Sequence, residues 1–170
     1  MFGTHRMRQS RGEAEYNLAR SLLLHDPARA VTVAGAAVRR FRGLGSHSWA
    51  ARAEGIRLCA ELRRALSNPP GRSRLPSFAE VDAAAVELER LGFAAEAATV
   101  RLTWELWLAE RSPSGDGPTG NPSPGRLRIP RTASLPVRLL AGQVRAARAA
   151  SAGRDAEARR QAAHGLDALT

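Results

Sequence analysis

His25-Asp26-Pro27-Ala28-Arg29-Ala30-Val31-Thr32-Val33-Ala34-Gly35-Ala36-Ala37-Val38-Arg39-Arg40-Phe41 decides the fold class. Asp before Pro is a stop and a start at once. Asp offers a side-chain oxygen to an N-terminal turn, and Pro fits the first helical position, where its missing N–H is no loss. Behind them Ala30, Ala34 and Ala37 follow a small-x3-small-x2-small spacing, which puts all three on one face of a helix. Small side chains there let a neighbouring helix come close. Ala158, Ala162 and Gly165 repeat the spacing after Gly153-Arg154-Asp155. Close approach on a recurring small face is how stacked helix pairs are built, and such stacks hold partners more often than they turn over substrates.

The remaining elements follow from punctuation outward. Ser10-Arg11-Gly12-Glu13 fits a capping box and predicts a first helix over 13–25, its apolar face carrying Leu18, Leu22 and Tyr16 or Leu23. The second helix spans 27–42 and ends at Gly43-Leu44-Gly45. A third begins at Ser46 or Ser48, puts Trp49, Ala53, Ile56 and Ala60 on one face, and stops by Asn68-Pro69-Pro70-Gly71. Ser77-Phe78-Ala79-Glu80 is a second capping box opening a fourth helix to about residue 91, and Gly92 alone separates it from a fifth over 93–111. A sixth over 135–152 and a seventh over 155–169 turn about Gly153. The expected architecture is all-α, about seven helices in one domain over 1–170, with a flexible N-terminus at 1–10. Residues 112–134 carry five prolines and four glycines among Arg126, Arg128 and Arg131, and predict a mobile loop. The helices pair first with second, third with fourth and sixth with seventh. The fifth is left as a pair that has lost its second member.

Composition narrows the function classes. Hydrophobic residues at 44% suit a globular chain, and an aromatic share of 5% with abundant Ala and Leu favours helix over sheet. The net charge of +10 invites a nucleic-acid partner. However, every basic residue is arginine, isoleucine occurs only at Ile56 and Ile129, and the arginines are scattered, which is the mark of a GC-rich coding bias with arginine on the surface. Nucleic acid therefore ranks behind a protein partner. The single Cys59 excludes an internal disulfide, and with no signal peptide and no apolar run able to span a bilayer the expectation is a cytoplasmic protein.

Catalytic and metal chemistry find little footing. His5, His25, His47 and His164 show no i, i+4 pair, so no metal site or cofactor is expected. Cys59 beside Leu58 and Leu62 reads as a packed thiol, no Gly-x-Ser-x-Gly elbow occurs, and a chain without lysine has no phosphate loop of the Gly-x4-Gly-Lys-Ser kind. Arg101 and Glu105 read as a surface ion pair, and Trp104 and Trp107 as core.

Ala14-Glu15-Tyr16-Asn17-Leu18-Ala19-Arg20, the 25–41 stretch, Glu87-Leu88-Glu89-Arg90-Leu91-Gly92-Phe93 and Ala152-Gly153-Arg154-Asp155-Ala156-Glu157-Ala158-Arg159-Arg160 together resemble tetratricopeptide-type repeats, in particular those of actinobacterial proteins that carry a caspase-like CHAT protease domain. In that pattern Leu18 and Ala19 match the first-helix Leu-Gly pair, and the two small-residue sets match the second helix. The resemblance implies a tetratricopeptide-like antiparallel helix-hairpin stack, an α–α superhelix, acting as a non-catalytic scaffold for a protein or peptide. The protease does not carry over, since nothing here supplies its His and Cys; the chain reads as the repeat portion of a longer protein, and self-association through exposed stack ends is a further expectation. First helices of each pair line the groove of such a stack, so Tyr16, Arg20, Glu54 and Arg57 are the candidate partner-binding residues, the arginines suiting an acidic peptide. The alternative is a basic nucleic-acid-binding or transcription-regulatory helical module.

Overall fold

The computed structural model describes residues 2–67, 75–111 and 133–167, with side chains for 6–67, 75–111 and 133–163. Seven helices occupy the described residues: α1 (Phe2–Leu22), α2 (Pro27–Gly43), α3 (His47–Ser67), α4 (Phe78–Arg90), α5 (Ala94–Arg111), α6 (Leu135–Ser151) and α7 (Asp155–Asp167). No strand occurs among them. The fold is an all-α set of helix hairpins, as the punctuation requires.

The caps form as their chemistry dictates. Asp26 accepts a hydrogen bond from the Arg29 backbone N–H at 3.0 Å with Pro27 at the first position of α2. The second capping box is complete: the Ser77 hydroxyl accepts from Glu80 N, and Glu80 Oε2 accepts from Ser77 N at 2.8 Å. Three joints share one geometry. Gly45, Gly92 and Gly153 take φ of 68°, 87° and 69°, and each sits in a doubled backbone clasp. At the first, Ser46 N donates to Phe41 O and Gly45 N to Arg42 O; at the others, Phe93 N reaches Leu88 O and Arg154 N reaches Ala149 O. That clasp satisfies carbonyls a helix end would otherwise leave open, and only glycine enters the left-handed region freely.

The first box is where local reading fails. Ser10 lies inside α1, which runs as helix from Phe2 through the segment expected to be flexible. Glu13 accepts from the Gln9 side chain at 2.9 Å instead of reaching back to Ser10, and Ser46 Oγ donates to Gln9 Oε1 at 3.2 Å, tying the early turns of α1 to the far end of α2. The expected loop at 112–134 lies outside the described residues up to 132, as does the Pro-Pro stop at 68–71.

The chain divides into two compact units, Met1–Val100 and Arg101–Thr170, where one domain was expected. The boundary falls inside α5.

In the first unit α2 packs against both α1 and α3, α3 against α4, and α1 also touches α3. Ala30, Ala34 and Ala37 are fully buried, so the small face of α2 is the nesting surface. The buried face of α1 is Gly12, Tyr16 and Ala19, while Leu18 is 43% exposed. Gly12 is required by its neighbour: a Cβ there would stand 2.8 Å from Phe41 Cε1. Tyr16, Phe41 and Trp49 form an aromatic core, Tyr16 edge-on to Trp49 at 5.4 Å and Phe41 stacked on it at 5.5 Å. The Cys59 thiol is buried.

In the second unit α6 and α7 pack as a hairpin. Val137, Leu140, Ala141 and Val144 of α6 are buried, as are Leu102, Trp104 and Leu106 of α5, and Trp104 stacks on Trp107 at 5.1 Å. Glu105 is buried rather than a surface group, and it pairs with Arg148 of α6. Burial lowers the pKa of that arginine. Ser151 Oγ joins the same helices by donating to Ala109 O. Ala158 is half-buried and Ala162 exposed, and the side chain at 165 lies outside those described.

Candidate functional site

α1, α3 and the start of α5 meet at Arg52. Trp49 and Arg52 are one helical turn apart, so ring and guanidinium share a side of α3. Arg52 Cζ lies 4.7 Å from the Trp49 ring centroid, 4.8 Å from Phe93 and 5.1 Å from Tyr16. Its Nη2 is 3.1 Å from Glu96 Oε1, and its Nε is buried without a hydrogen-bond partner. A guanidinium is planar and weakly hydrated, so rings can take it up where they would reject an ammonium. Each contact of this kind contributes about 0.5–1 kcal/mol when exposed and about 2 when desolvated. Arg52 thereby clamps three helices together. Arg20 extends the row on α1, with its Cζ 6.0 Å from the Tyr16 centroid. It is exposed, and no carboxylate pairs with it among the described residues.

Glu54 and Arg57 lie elsewhere on α3. Two residues on from Arg52, Glu54 turns about 200° around the helix. It meets Arg57, whose Nη2 and Nε bond Glu54 Oε1 and Oε2 at 2.6 and 3.1 Å while Nη1 bonds Glu61 Oε1 at 2.5 Å. Glu54, then Glu61, holds the Arg57 pKa above its ordinary value against the opposing effect of burial. With three of its five N–H donors on two carboxylates, that fork already has its charge matched and only one N–H left on each terminal nitrogen. Glu54 also lines a cleft of about 220 Å³ with Arg42, His47, Ala84 and Glu87. Arg42 lies 4.0 Å from Glu54, and Arg90, then His47, lowers the Glu87 pKa. Every carboxylate in that cleft already faces a cation.

The four residues picked from the sequence therefore separate into two pairs. Tyr16 and Arg20 adjoin the Arg52 cluster; Glu54 and Arg57 pair with each other on another side of α3. Tyr16 is 2% exposed, so it supports the site from beneath and does not line a groove. Sequence reading missed Arg52, Phe93 and Glu96. The available signal was weak: Trp49-x2-Arg52 and Phe93-x2-Glu96 each set a charge one turn after an aromatic.

Among the described residues no group of three or more His, Cys, Asp or Glu side chains is arranged to hold a metal ion. None of their helices is long and apolar enough to cross a membrane. No protein-family model, curated protein or solved structure matches the chain.

Proposed function

We propose that the chain is a non-catalytic protein–protein interaction scaffold of tetratricopeptide-like helix hairpins, the repeat portion of a larger CHAT-type signalling protein, and that an acidic segment of a protein partner docks on the α1–α3–α5 ledge of the first unit. The observation that carries this reading is the Arg52 clamp. It fixes first helices of successive hairpins side by side and leaves the Arg20 guanidinium exposed at the edge of the same aromatic cluster. Rigid presentation lowers the entropy lost on binding. A bidentate arginine favours a carboxylate over a neutral side chain.

Selection of displayed peptides against the full chain tests this. Asp- and Glu-rich sequences should be enriched, and Arg20→Ala should weaken them about tenfold, the equivalent of one charge-assisted hydrogen bond. Arg57→Ala should leave the same peptides bound. Selected peptides that are neutral or basic, or that ignore the loss of Arg20, would overturn the reading.

A further inference from the structure

Among the described residues the large apolar side chains left in water are Met7, Leu18, Leu24, Phe78 and Val86, and all belong to the first unit. Four of them lie on α1 and α4. On α1, Met7, Arg11, Ala14, Leu18 and Ser21 are all exposed, Met7 at 68% and Leu18 at 43%. Their 4-3-4-3 spacing keeps them within about 40° of one line along the helix. The buried Gly12, Tyr16 and Ala19 stand on the opposite side, where Phe41 of α2 and Trp49 of α3 meet them. On α4, Ala79, Ala83, Val86 and Arg90 are exposed at 4-3-4 spacing, opposite the buried Val81, Ala85 and Leu88. Val86 is 50% exposed, and Phe78, 37% exposed, lies in the first turn of the same helix. Each helix thus keeps one side against its own unit and turns a seam of the spacing that helix pairs use outward.

The two seams are opposite in charge. α4 carries Glu80, Asp82, Glu87 and Glu89 against Arg90 alone, which makes it the most acidic helix of a chain whose net charge is +10. By helical position Glu80 and Glu87 flank its seam on one side, Asp82 and Glu89 on the other. α1 carries Arg6, Arg8, Arg11 and Arg20. Its two carboxylates are taken up within the unit, Glu13 by Gln9 and Glu15 by Arg40 and Arg11. Arg6 and Arg8 flank Met7, are exposed, and pair with no carboxylate among the described residues. Two α1 seams would set arginine against arginine, and two α4 seams carboxylate against carboxylate; α1 against α4 matches charge along an apolar line. We infer that the α1 seam of one copy of this chain docks on the α4 seam of a second copy. Different faces meet, so the contact is heterologous, and every pair of copies keeps one α1 and one α4 seam open at its ends. The contact is separate from the peptide-docking ledge, since Arg20 lies about 200° round α1 from Leu18.

Sedimentation equilibrium of the full chain tests this. Two helix faces make a small contact, so a dissociation constant of about 0.1–1 mM is expected, and up to about 1 mM chain the mean mass should rise past that of a dimer. Raising salt from about 50 to 500 mM should weaken association about fivefold by screening. Leu18→Glu and Val86→Arg each set a like charge against the facing seam and should weaken association about tenfold or more, and Met7→Glu repeats the first at a second exposed position. Mixing Leu18→Glu with Val86→Arg should restore association, because each supplies the face that the other has lost. Leu24→Glu alters an exposed leucine in the turn after α1, outside both seams, and should change association less than about twofold. Unchanged helical circular dichroism confirms that the variants fold, and Val86→Arg should still bind the acidic peptides of the ledge, so the two readings fail separately. The inference is overturned by a chain that stays monomeric over that range, by association that stops at a closed dimer or strengthens with salt, by a folded variant of either seam that associates as the parent does, by a Leu24→Glu loss as large as theirs, or by a mixture that stays dissociated.

Discussion

α2 and α7 carry the same small-residue spacing and use it differently. In α2, Ala30, Ala34 and Ala37 are fully buried because α1 and α3 close on the helix from two sides. In α7, Ala158 is half-buried and Ala162 exposed, although α6 packs alongside. Spacing therefore defines a face that can accept a neighbour; how many neighbours arrive decides how much of it is covered. The largest expected effect separates the two directly. Ala34→Leu forces a larger side chain into a fully buried position and should destabilise the first unit by about 3 kcal/mol, at the upper end of core overpacking. Ala162→Leu extends into solvent and should move the urea midpoint by less than about 0.5 kcal/mol equivalent. Equal losses at the two positions would mean that the α7 face is covered after all.

Two smaller contrasts sharpen the point inside the first unit. Gly12 and Gly35 both sit within helices, yet only Gly12 is enforced by packing. Gly12→Ala must displace the Phe41 ring, which is fully buried and stacked on Trp49, and should cost about 2 kcal/mol. At Gly35 the nearest atom to a new Cβ would be Arg39 Nη1 at 3.6 Å, so Gly35→Ala should stabilise by about 0.5–1 kcal/mol through the lower entropy of the unfolded chain. Thermal melts of the two variants should shift in opposite directions. Caps divide in the same way. Asp26 makes its side-chain bond and Ser134 makes none. Asp26→Ala should therefore cost about 1 kcal/mol, and Ser134→Ala no more than a few tenths.

Where sequence reading succeeded, the signal was local and complete. Asp26-Pro27, Ser77-Phe78-Ala79-Glu80 and the glycines at 45, 92 and 153 each satisfy their own backbone groups, so a few residues suffice to place a helix end. Ser10-Arg11-Gly12-Glu13 has the same letters as a cap but lies mid-helix. Its fate is set from a distance, by Ser46 reaching Gln9 and by Phe41 seated against Gly12. Glu105 shows the same limit, since an arginine four residues away on its own helix suggests a surface pair while Arg148 of α6 takes it into the interior. The candidate site was half legible for this reason. Tyr16 and Arg20 come from one turn of one helix. The Arg52 clamp draws its rings from α1, α3 and the turn before α5, and no spacing within a single helix announces it.

The ion pairs of the first unit differ among themselves in how far water screens them, and acid should expose that difference. Arg40 gives Glu15 two bonds, Nε to Oε2 at 2.9 Å and Nη2 to Oε1 at 2.8 Å, and Arg11 adds a third at 3.2 Å. The Arg40 hydrogen bonds hold the Glu15 carboxyl below its ordinary 4.5 against the opposing effect of burial, with Arg11 helping. A carboxylate more acidic in the folded chain than in the unfolded one binds its proton less readily when folded. Its stabilisation is therefore complete above the unfolded value and drains away as pH falls through the lowered one. Glu15→Gln should lower stability at neutral pH and flatten its decline from about pH 5 downward. Glu87 is also held low, by Arg90, but its side chain is 42% exposed and that of Arg90 65%. Screening leaves such a pair little to lose, so Glu87→Gln should retain the acid decline of the parent. Urea midpoints measured from neutrality into that acid range decide it: a parent-like acid limb in Glu15→Gln would place the sensitivity in some other carboxylate and reduce the α1–α2 bridge to a surface contact.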